Sequence, residues 1–203
     1  AGRQALSPPD LARVAGVGAG VVKVLLDEGV LAVRLVEAVA QFDPPDPTRP
    51  GAVLNPSQAA AAEALKAMLA AGGFDVALLD GVTGSGKTEV YLEAAAAALA
   101  ADPTAQVLIL LPEIALTQAV IGRVAERFGA EPGEWHSNVA PPARRRVWEA
   151  VANGRCRIVV GARSALFLPF PNLKLIVVDE EHDASFKQEE GFIYHARDLA
   201  VAR

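Results

Sequence analysis

The fold is decided by residues 81–88, which read Gly81-Val82-Thr83-Gly84-Ser85-Gly86-Lys87-Thr88. This stretch matches the phosphate-binding loop pattern at every fixed position, and it lies between an apolar run and a helical run. Glycines let successive backbone N–H groups turn toward phosphate oxygens, and the positive end of the following helix adds to the attraction. The pattern predicts that Lys87 contacts the outer phosphates and that the Thr88 hydroxyl is a magnesium ligand.

Outward from this loop, apolar runs typical of strands alternate with helical runs. The predicted strands are Val76–Leu79, Val107–Leu111, Glu134–His136, Ile158–Val160 and Leu173–Val178. The predicted helices are Pro56–Ala71, Lys87–Ala101, Ala115–Phe128 and Pro142–Asn153. Continuous apolar strands separated by helices indicate the α/β fold class, with a mostly parallel sheet covered on both faces. Functional residues are then expected at the carboxyl ends of the strands.

One of these strand ends is acidic. The apolar run Leu175–Val178 leads directly into Asp179, Glu180, Glu181 and His182. Paired with the glycine-rich loop, this arrangement predicts that Asp179 holds magnesium and that Glu180 orients the attacking water. By itself an acidic strand end is more often a solvated turn.

Two segments precede this α/β region. Residues 1–41 contain two short helical patterns, separated by Gly16-Val17-Gly18 and followed by a strand-like Val30–Val33. This order of helix, glycine turn, helix and strand is typical of the end of a winged-helix DNA-binding domain, and it fits a plain helical hairpin equally well. Residues 42–52 contain four prolines and are predicted to be a linker. The α/β domain is then expected over residues 53–203.

Composition excludes several classes of protein. With 52% hydrophobic residues the chain can bury a core, but no apolar run reaches the roughly 20 residues needed to span a bilayer. The single cysteine, Cys156, excludes an internal disulfide and favours the cytoplasm. The net charge of −5 excludes a uniformly basic coat, so nucleic-acid contacts must lie in patches. The start, Ala1-Gly2, has no Met and no signal sequence, and we expect a segment of a longer protein.

Five segments together resemble the superfamily 2 DExH-box helicases, and among them the replication-restart helicases. The segments are Leu54–Gln58, Gly81–Tyr91, Leu111–Thr117, Gly161–Phe167 and Asp179–Gln188. The resemblance covers residues 53–203 and implies a RecA-like P-loop NTPase lobe. It also implies an ATP-driven 3′-to-5′ DNA helicase that acts in primosome assembly at stalled forks.

The resemblance assigns nucleotide roles to individual residues. Gln58 would read the adenine base, and His182 would relay the state of the nucleotide to the DNA-binding elements. The catalytic set is Lys87, Asp179, Glu180 and His182. The residues expected to bind the nucleotide are Gln58, Gly81, Thr83, Gly84, Ser85, Gly86, Lys87, Thr88 and Glu89. For His182, a hydrogen bond to neighbouring backbone is the simpler alternative.

The DNA-binding residues are expected in two places. Arg163 and Ser164 follow the strand that ends at Val160, where similar helicases hold the DNA backbone. The segment after the DExH box resembles the aromatic-rich loop of these helicases, and its expected DNA-binding residues are Phe186, Lys187, Phe192 and Tyr194. Bases stack on such rings without sequence preference. The alternative is that the rings only close the core.

The resemblance also implies cofactors and partners. These are ATP and Mg²⁺, single-stranded and forked DNA, the single-stranded DNA-binding protein and other primosome proteins, with no membrane partner. A zinc site is expected only in a second lobe outside this chain, and without that lobe we expect weak nucleotide binding and poor hydrolysis. Two other functions stay open: a duplex translocase that separates no strands, and a DNA-binding regulator switched by ATP.

Overall fold

The computed structural model describes residues 6–32, 42–82, 84–116 and 118–203. The chain divides into two compact units, Ala1–Val39 and Ala40–Arg203.

The first unit contains two short helices, α1 (Pro8–Ala15) and α2 (Ala19–Asp27). The Ser7 side chain accepts a hydrogen bond from the backbone N–H of Asp10, and Gly16 ends α1 in the left-handed conformation. The predicted strand at Val30–Val33 is not seen in residues 30–32, and Val33 lies outside the described residues. The helix–turn–helix order is present, while its assignment to a winged-helix domain stays a prediction.

The second unit alternates helices with strands, as the sequence predicts. Its helices are α3 (Pro56–Ala71), α4 (Lys87–Ala101), α5 (Gln118–Phe128), α6 (Pro141–Ala152) and α7 (Ala196–Ala202). Its strands are β1 (Gln106–Leu110), β2 (Gly133–Trp135), β3 (Ile158–Gly161), β4 (Leu173–Val178), β5 (Lys187–Gln188) and β6 (Tyr194–His195). Short 3₁₀ turns lie at Glu113–Ala115, Arg163–Phe167 and Ala184–Phe186. Within the described ranges, no helix is long and apolar enough to cross a membrane.

The four longer strands form one parallel sheet in the order β2-β3-β1-β4. Parallel pairing places all four carboxyl ends at one edge of the sheet, where sites in open α/β folds are found. The strands β5 and β6 form a separate antiparallel ribbon. The α/β fold class with a parallel sheet is therefore confirmed.

The core has two layers because side chains alternate across the sheet. Val107 and Ile109 of β1 lie in one buried cluster together with α4 and α5. Leu108 and Leu110 lie in the other cluster, together with α6. Strand β1 is buried along its whole length. The alanine-rich centre of α4 also lies in the first cluster, since small side chains let this helix approach the sheet closely.

The strand predicted at Val76–Leu79 is wrong. These residues form no ladder with a described strand, and Val76 and Leu78 are 58% and 80% exposed. An apolar run is a strand only where its backbone groups pair with a neighbour, and that pairing is a tertiary event.

The segment predicted to be a linker belongs to the second unit and packs against α5. We call residues 42–51 the proline strap. The backbone N–H of Asp46 donates to the carbonyl of Phe128 at 2.8 Å, and Pro45 is buried. The Arg127 guanidinium donates to the carbonyl of Arg49 at 2.6 Å. Prolines forbid regular structure here, but they do not prevent docking.

Replacing Arg127 by Ala should destabilise the second unit and detach the strap. Arg127 is 7% exposed, and its Nε donates to Glu93 Oε1 at 2.9 Å. Removing one partner of a buried ion pair costs about 3 kcal/mol, because the other charge loses its compensation. Urea denaturation measures the loss, and faster hydrogen exchange at the Asp46 amide, which donates to the carbonyl of Phe128, reports the detached strap. The exposed Arg123→Ala on the same helix is the control, and equal stability of the two variants would contradict this account.

Candidate functional site

The glycine-rich loop turns directly into α4. Gly84 and Gly86 have φ values of 80° and 81°, a region that residues with a Cβ rarely adopt, and Gly86 caps the helix. A Cβ at Gly86 would collide with the Gln58 amide, and a Cβ at Gly81 would come within 2.8 Å of Ser85 Oγ. Glycine therefore suits positions 84 and 86 by backbone conformation, and positions 81 and 86 by lack of space for a Cβ. Thr83 lies outside the described residues.

Lys87 links this loop to the acidic strand end. Its Nζ donates to the carbonyl of Gly81 at 2.7 Å and lies 3.8 Å from Glu180 Oε1. The two halves of the predicted site, 93 positions apart at these two residues, thus meet at one ammonium group.

Gln58 contacts the same loop from α3. Its Nε2 donates to the carbonyl of Ser85 at 2.7 Å, and its Oε1 accepts from the backbone N–H of Asn55 at 2.8 Å. The Asn55 side chain accepts a hydrogen bond from the backbone N–H of Gln58, which completes a capping box at the start of α3. Gln58 therefore joins α3 to the loop, and recognition of adenine stays a prediction.

Asp179 and Glu180 emerge from the carboxyl end of β4, beside β1. The backbone N–H of Asp179 donates to the carbonyl of Leu110 at 3.0 Å, and its Oδ1 accepts from the Glu180 N–H. Among the described non-glycine residues, Glu180 alone has a positive φ, of 51°. Such backbone strain clusters at functional sites.

Tyr91 is a site residue that the sequence analysis did not single out. Its hydroxyl donates to Asp179 Oδ2 at 3.2 Å and also bonds with the Thr88 side chain. Burial, and after it the charge of Asp179, raises the pKa of Tyr91, so the hydroxyl stays protonated and donates. The two predicted magnesium ligands, Thr88 and Asp179, therefore share one hydrogen-bond partner. The i, i+4 spacing from Lys87 to Tyr91 was the signal available in the sequence.

The remaining acidic and nucleotide-binding residues lie around this centre. His182 is exposed, and its Nε2 is 3.6 Å from Glu180 Oε2, so it contacts a predicted catalytic group. Glu181 points elsewhere and pairs with Arg197 of α7 at 2.8 Å. Glu89 is half-buried in the first turn of α4.

Arg163 lies at the carboxyl end of β3 and holds the segment that follows the DExH box. Its Nη1 donates to the carbonyls of Ser185 and Lys187, at 2.6 and 2.7 Å. Ser164 beside it is exposed, and Lys187 pairs with Glu189 at 2.7 Å. The structure thus joins the two predicted DNA-binding places through one guanidinium group.

Phe186 does not belong to the DNA-facing set. It is 1% exposed and lies in the second core cluster, so neither face of its ring is open to a base. The prediction for Phe186 is corrected: its ring closes the core. Phe192 is 70% exposed, and its ring lies 5.8 Å from that of Tyr194. Exposed Phe167, which the sequence analysis left out of the site, packs edge-on against Tyr194 at 5.3 Å.

The comparisons with known proteins agree with one another and indicate a helicase family. The DEAD/DEAH box helicase family matches residues 55–202. Three similar curated proteins are each named replication restart protein PriA. The one from Rickettsia conorii is 51% identical over 126 residues, which are 62% of this chain and 19% of that protein. The Haemophilus influenzae protein is 49% identical over 148 residues, 73% of this chain and 20% of that protein.

The third relative, from Chlamydia trachomatis, is 38% identical over 208 aligned residues, which cover 98% of this chain and 26% of that protein. The chain therefore spans about a fifth to a quarter of the length of these relatives.

Replacing Gly86 by Ala should damage the loop more than replacing Gly84 by Ala. Both changes put a Cβ at positive φ, which costs about 1–2 kcal/mol, but only at Gly86 does the Cβ also meet Gln58. We expect a lower urea midpoint and weaker binding of a fluorescent ATP analogue for Gly86→Ala. Adding Gln58→Ala should recover part of the stability. Equal midpoints for the two glycine variants would show that the collision has no effect.

Proposed function

This chain belongs to the DEAD/DEAH box helicase family, and we propose that it is the ATP-binding lobe of a DNA helicase that acts in replication restart. The observation that carries the proposal is the meeting of Lys87 with Glu180, beside the Tyr91–Asp179 hydrogen bond. The similarity to three proteins named replication restart protein PriA supports the choice of process.

The loop and the strand end suit a nucleoside triphosphate bound with magnesium. The glycine-rich loop presents backbone N–H groups at the start of α4, and Lys87 adds a positive charge there. Thr88 and Asp179 offer oxygen atoms, the ligand type that magnesium prefers. When bound, magnesium would neutralise charge on the phosphate oxygens.

Each residue then has a distinct task. Lys87 binds the outer phosphates as a point charge, and Tyr91 fixes the orientation of the Asp179 carboxylate through its donated hydrogen bond. Glu180 holds the attacking water in line and polarises it. His182, in contact with Glu180, carries the state of the nucleotide outward.

DNA binding is assigned to the carboxyl edge of the sheet and the aromatic-rich loop. Phe192 and Tyr194 offer ring faces for stacking, while Ser164 and Lys187 offer polar contacts to phosphates. Arg163 holds the start of this loop, so a shift of the DExH box can reach the DNA-facing rings.

We use the name parent protein for the longer protein of which this chain is proposed to be one lobe. The parent protein is proposed to move 3′ to 5′ on single-stranded and forked DNA and to assemble the primosome. Its proposed partners are the single-stranded DNA-binding protein and other primosome proteins, and its place is the bacterial cytoplasm, at the nucleoid. The support is the similarity to the PriA proteins of three bacteria.

Two substitutions separate nucleotide binding from hydrolysis. Lys87→Ala removes a charge-assisted contact and should weaken binding of a fluorescent ATP analogue by about 10- to 150-fold. Glu180→Gln keeps the shape of the side chain, and this variant should bind the ATP analogue within about threefold of wild type. The reason is that Glu180 acts on the attacking water and not on the nucleotide. Unchanged binding by Lys87→Ala would contradict the site.

In the parent protein, Glu180→Gln should stop DNA-stimulated ATP hydrolysis. Strand displacement on a forked substrate then distinguishes the functions, because a translocase hydrolyses ATP without releasing a strand. A regulator switched by ATP would keep its DNA function in the Glu180→Gln variant.

Replacing Arg163 by Ala should loosen the aromatic-rich loop. Two backbone carbonyls lose their shared donor, and amide hydrogen exchange over residues 185–188 should become about tenfold faster. The exposed Arg146→Ala, which removes the same charge, is the control. Unchanged exchange in Arg163→Ala would exclude the positioning role.

A further inference from the structure

The two tryptophans of the chain line one cleft that the nucleotide and loop residues do not reach. The cleft has a volume of about 400 Å³ and lies between the end of β2 and residues 141–149 of α6. Its lining consists of Trp135, Pro141, Arg144, Arg145, Trp148 and Glu149. Trp148 is 47% exposed, so a large part of its ring is open to a ligand.

The cleft carries positive charge next to its rings. The Arg144 guanidinium lies 4.7 Å from the centre of the Trp135 ring, within cation–π range. Arg145 pairs with Glu149 at 2.8 Å, and both side chains are largely in solvent, where such a pair is weak. The two arginines outnumber the one carboxylate, so the cleft favours an anion that also presents a flat apolar face.

The cleft is continuous with the functional edge of the sheet. Trp135 is the last residue of β2 and lies opposite Gly161 of β3, and its carbonyl accepts from the Ala162 N–H at 2.9 Å. The next residue is Arg163, which holds the aromatic-rich loop. In the sheet order β2-β3-β1-β4, the cleft lies at the strand farthest from the DExH box.

We propose that this cleft is a base-stacking site for single-stranded DNA, an inference that rests on the proposed function. One base stacks on the exposed ring of Trp148, and Arg144 contacts a flanking phosphate. A nucleotide strand offers a flat ring and a phosphate at each step, which matches both features of the cleft. An acidic peptide would match the arginines alone.

Intrinsic tryptophan fluorescence reports directly on this cleft, because the chain has only Trp135 and Trp148. A thymidine oligonucleotide of about 12 nucleotides, within the usual range of binding-site sizes, should quench the emission of the 203-residue chain. Trp148→Ala should weaken oligonucleotide binding about tenfold, measured by fluorescence anisotropy of the labelled strand. Trp148→Phe keeps an aromatic face and should bind within about threefold of wild type.

Arg144→Ala should weaken binding and reduce the salt dependence by about one phosphate contact. The matched control is Arg155→Ala, an exposed arginine before β3, at the opposite edge of the sheet. It should leave affinity and salt dependence unchanged. Circular dichroism confirms that each variant is folded.

The outcomes separate the two proposals. One outcome overturns the cleft assignment and leaves the proposed function standing. In that outcome the wild-type chain binds the oligonucleotide and Phe192→Ala weakens the binding, but Trp148→Ala and Arg144→Ala leave it unchanged. If the wild-type chain binds no oligonucleotide at all, the cleft assignment and the DNA-binding part of the proposed function are both overturned, while the ATP-binding part is tested separately by Lys87→Ala. Stronger quenching by poly-glutamate than by the oligonucleotide overturns the assignment in favour of an acidic peptide.

Discussion

The Lys87 ammonium group lies 3.8 Å from a carboxylate oxygen of Glu180, and the candidate site depends on this contact because it joins the glycine-rich loop to the acidic end of β4. Lys87 is the first residue of α4, and Glu180 lies just after the end of β4. The two side chains meet only if α4 packs on the sheet with its N-terminus beside the carboxyl end of β4. The alanines of α4 permit that approach, because a larger side chain would hold the helix farther from β1. Core packing and nucleotide chemistry therefore depend on the same helix.

Three groups of candidate functional residues lie along the carboxyl edge of the sheet. The acidic residues lie at the end of β4, Arg163 follows β3, and the tryptophan cleft lies at the end of β2. Parallel strands bring these ends together regardless of their distance along the chain. In the proposed function, a strand of nucleic acid that follows this edge contacts both the stacking rings and the residue that holds the aromatic-rich loop. The loop itself begins directly after the DExH box, so the two sites share a backbone.

Individual residues show why local pattern alone could not assign every role. Phe186 and Phe192 belong to the same polar, glycine-containing segment, yet one is buried in the core and the other is exposed. Their sequence neighbourhood is similar, and only the packing of the 3₁₀ turn at Ala184–Phe186 against the sheet distinguishes them. Arg163 is predicted to bind DNA, and the structure adds that it donates to two backbone carbonyls, a contact that the sequence did not indicate. Tyr91 became a site residue because burial places its hydroxyl against Asp179.

The sequence by itself determined the order of helices and strands, the phosphate-binding loop and the acidic strand end, because these depend on local periodicity and on residue types at fixed spacing. Helices Pro56–Ala71 and Lys87–Ala101 begin and end where their caps and breakers indicate. Only the tertiary structure decided that residues 76–79 have no strand partner, that the proline strap docks, and that Phe186 is buried. Each of these outcomes depends on which surfaces meet, and contacts between distant segments leave no mark in a local pattern.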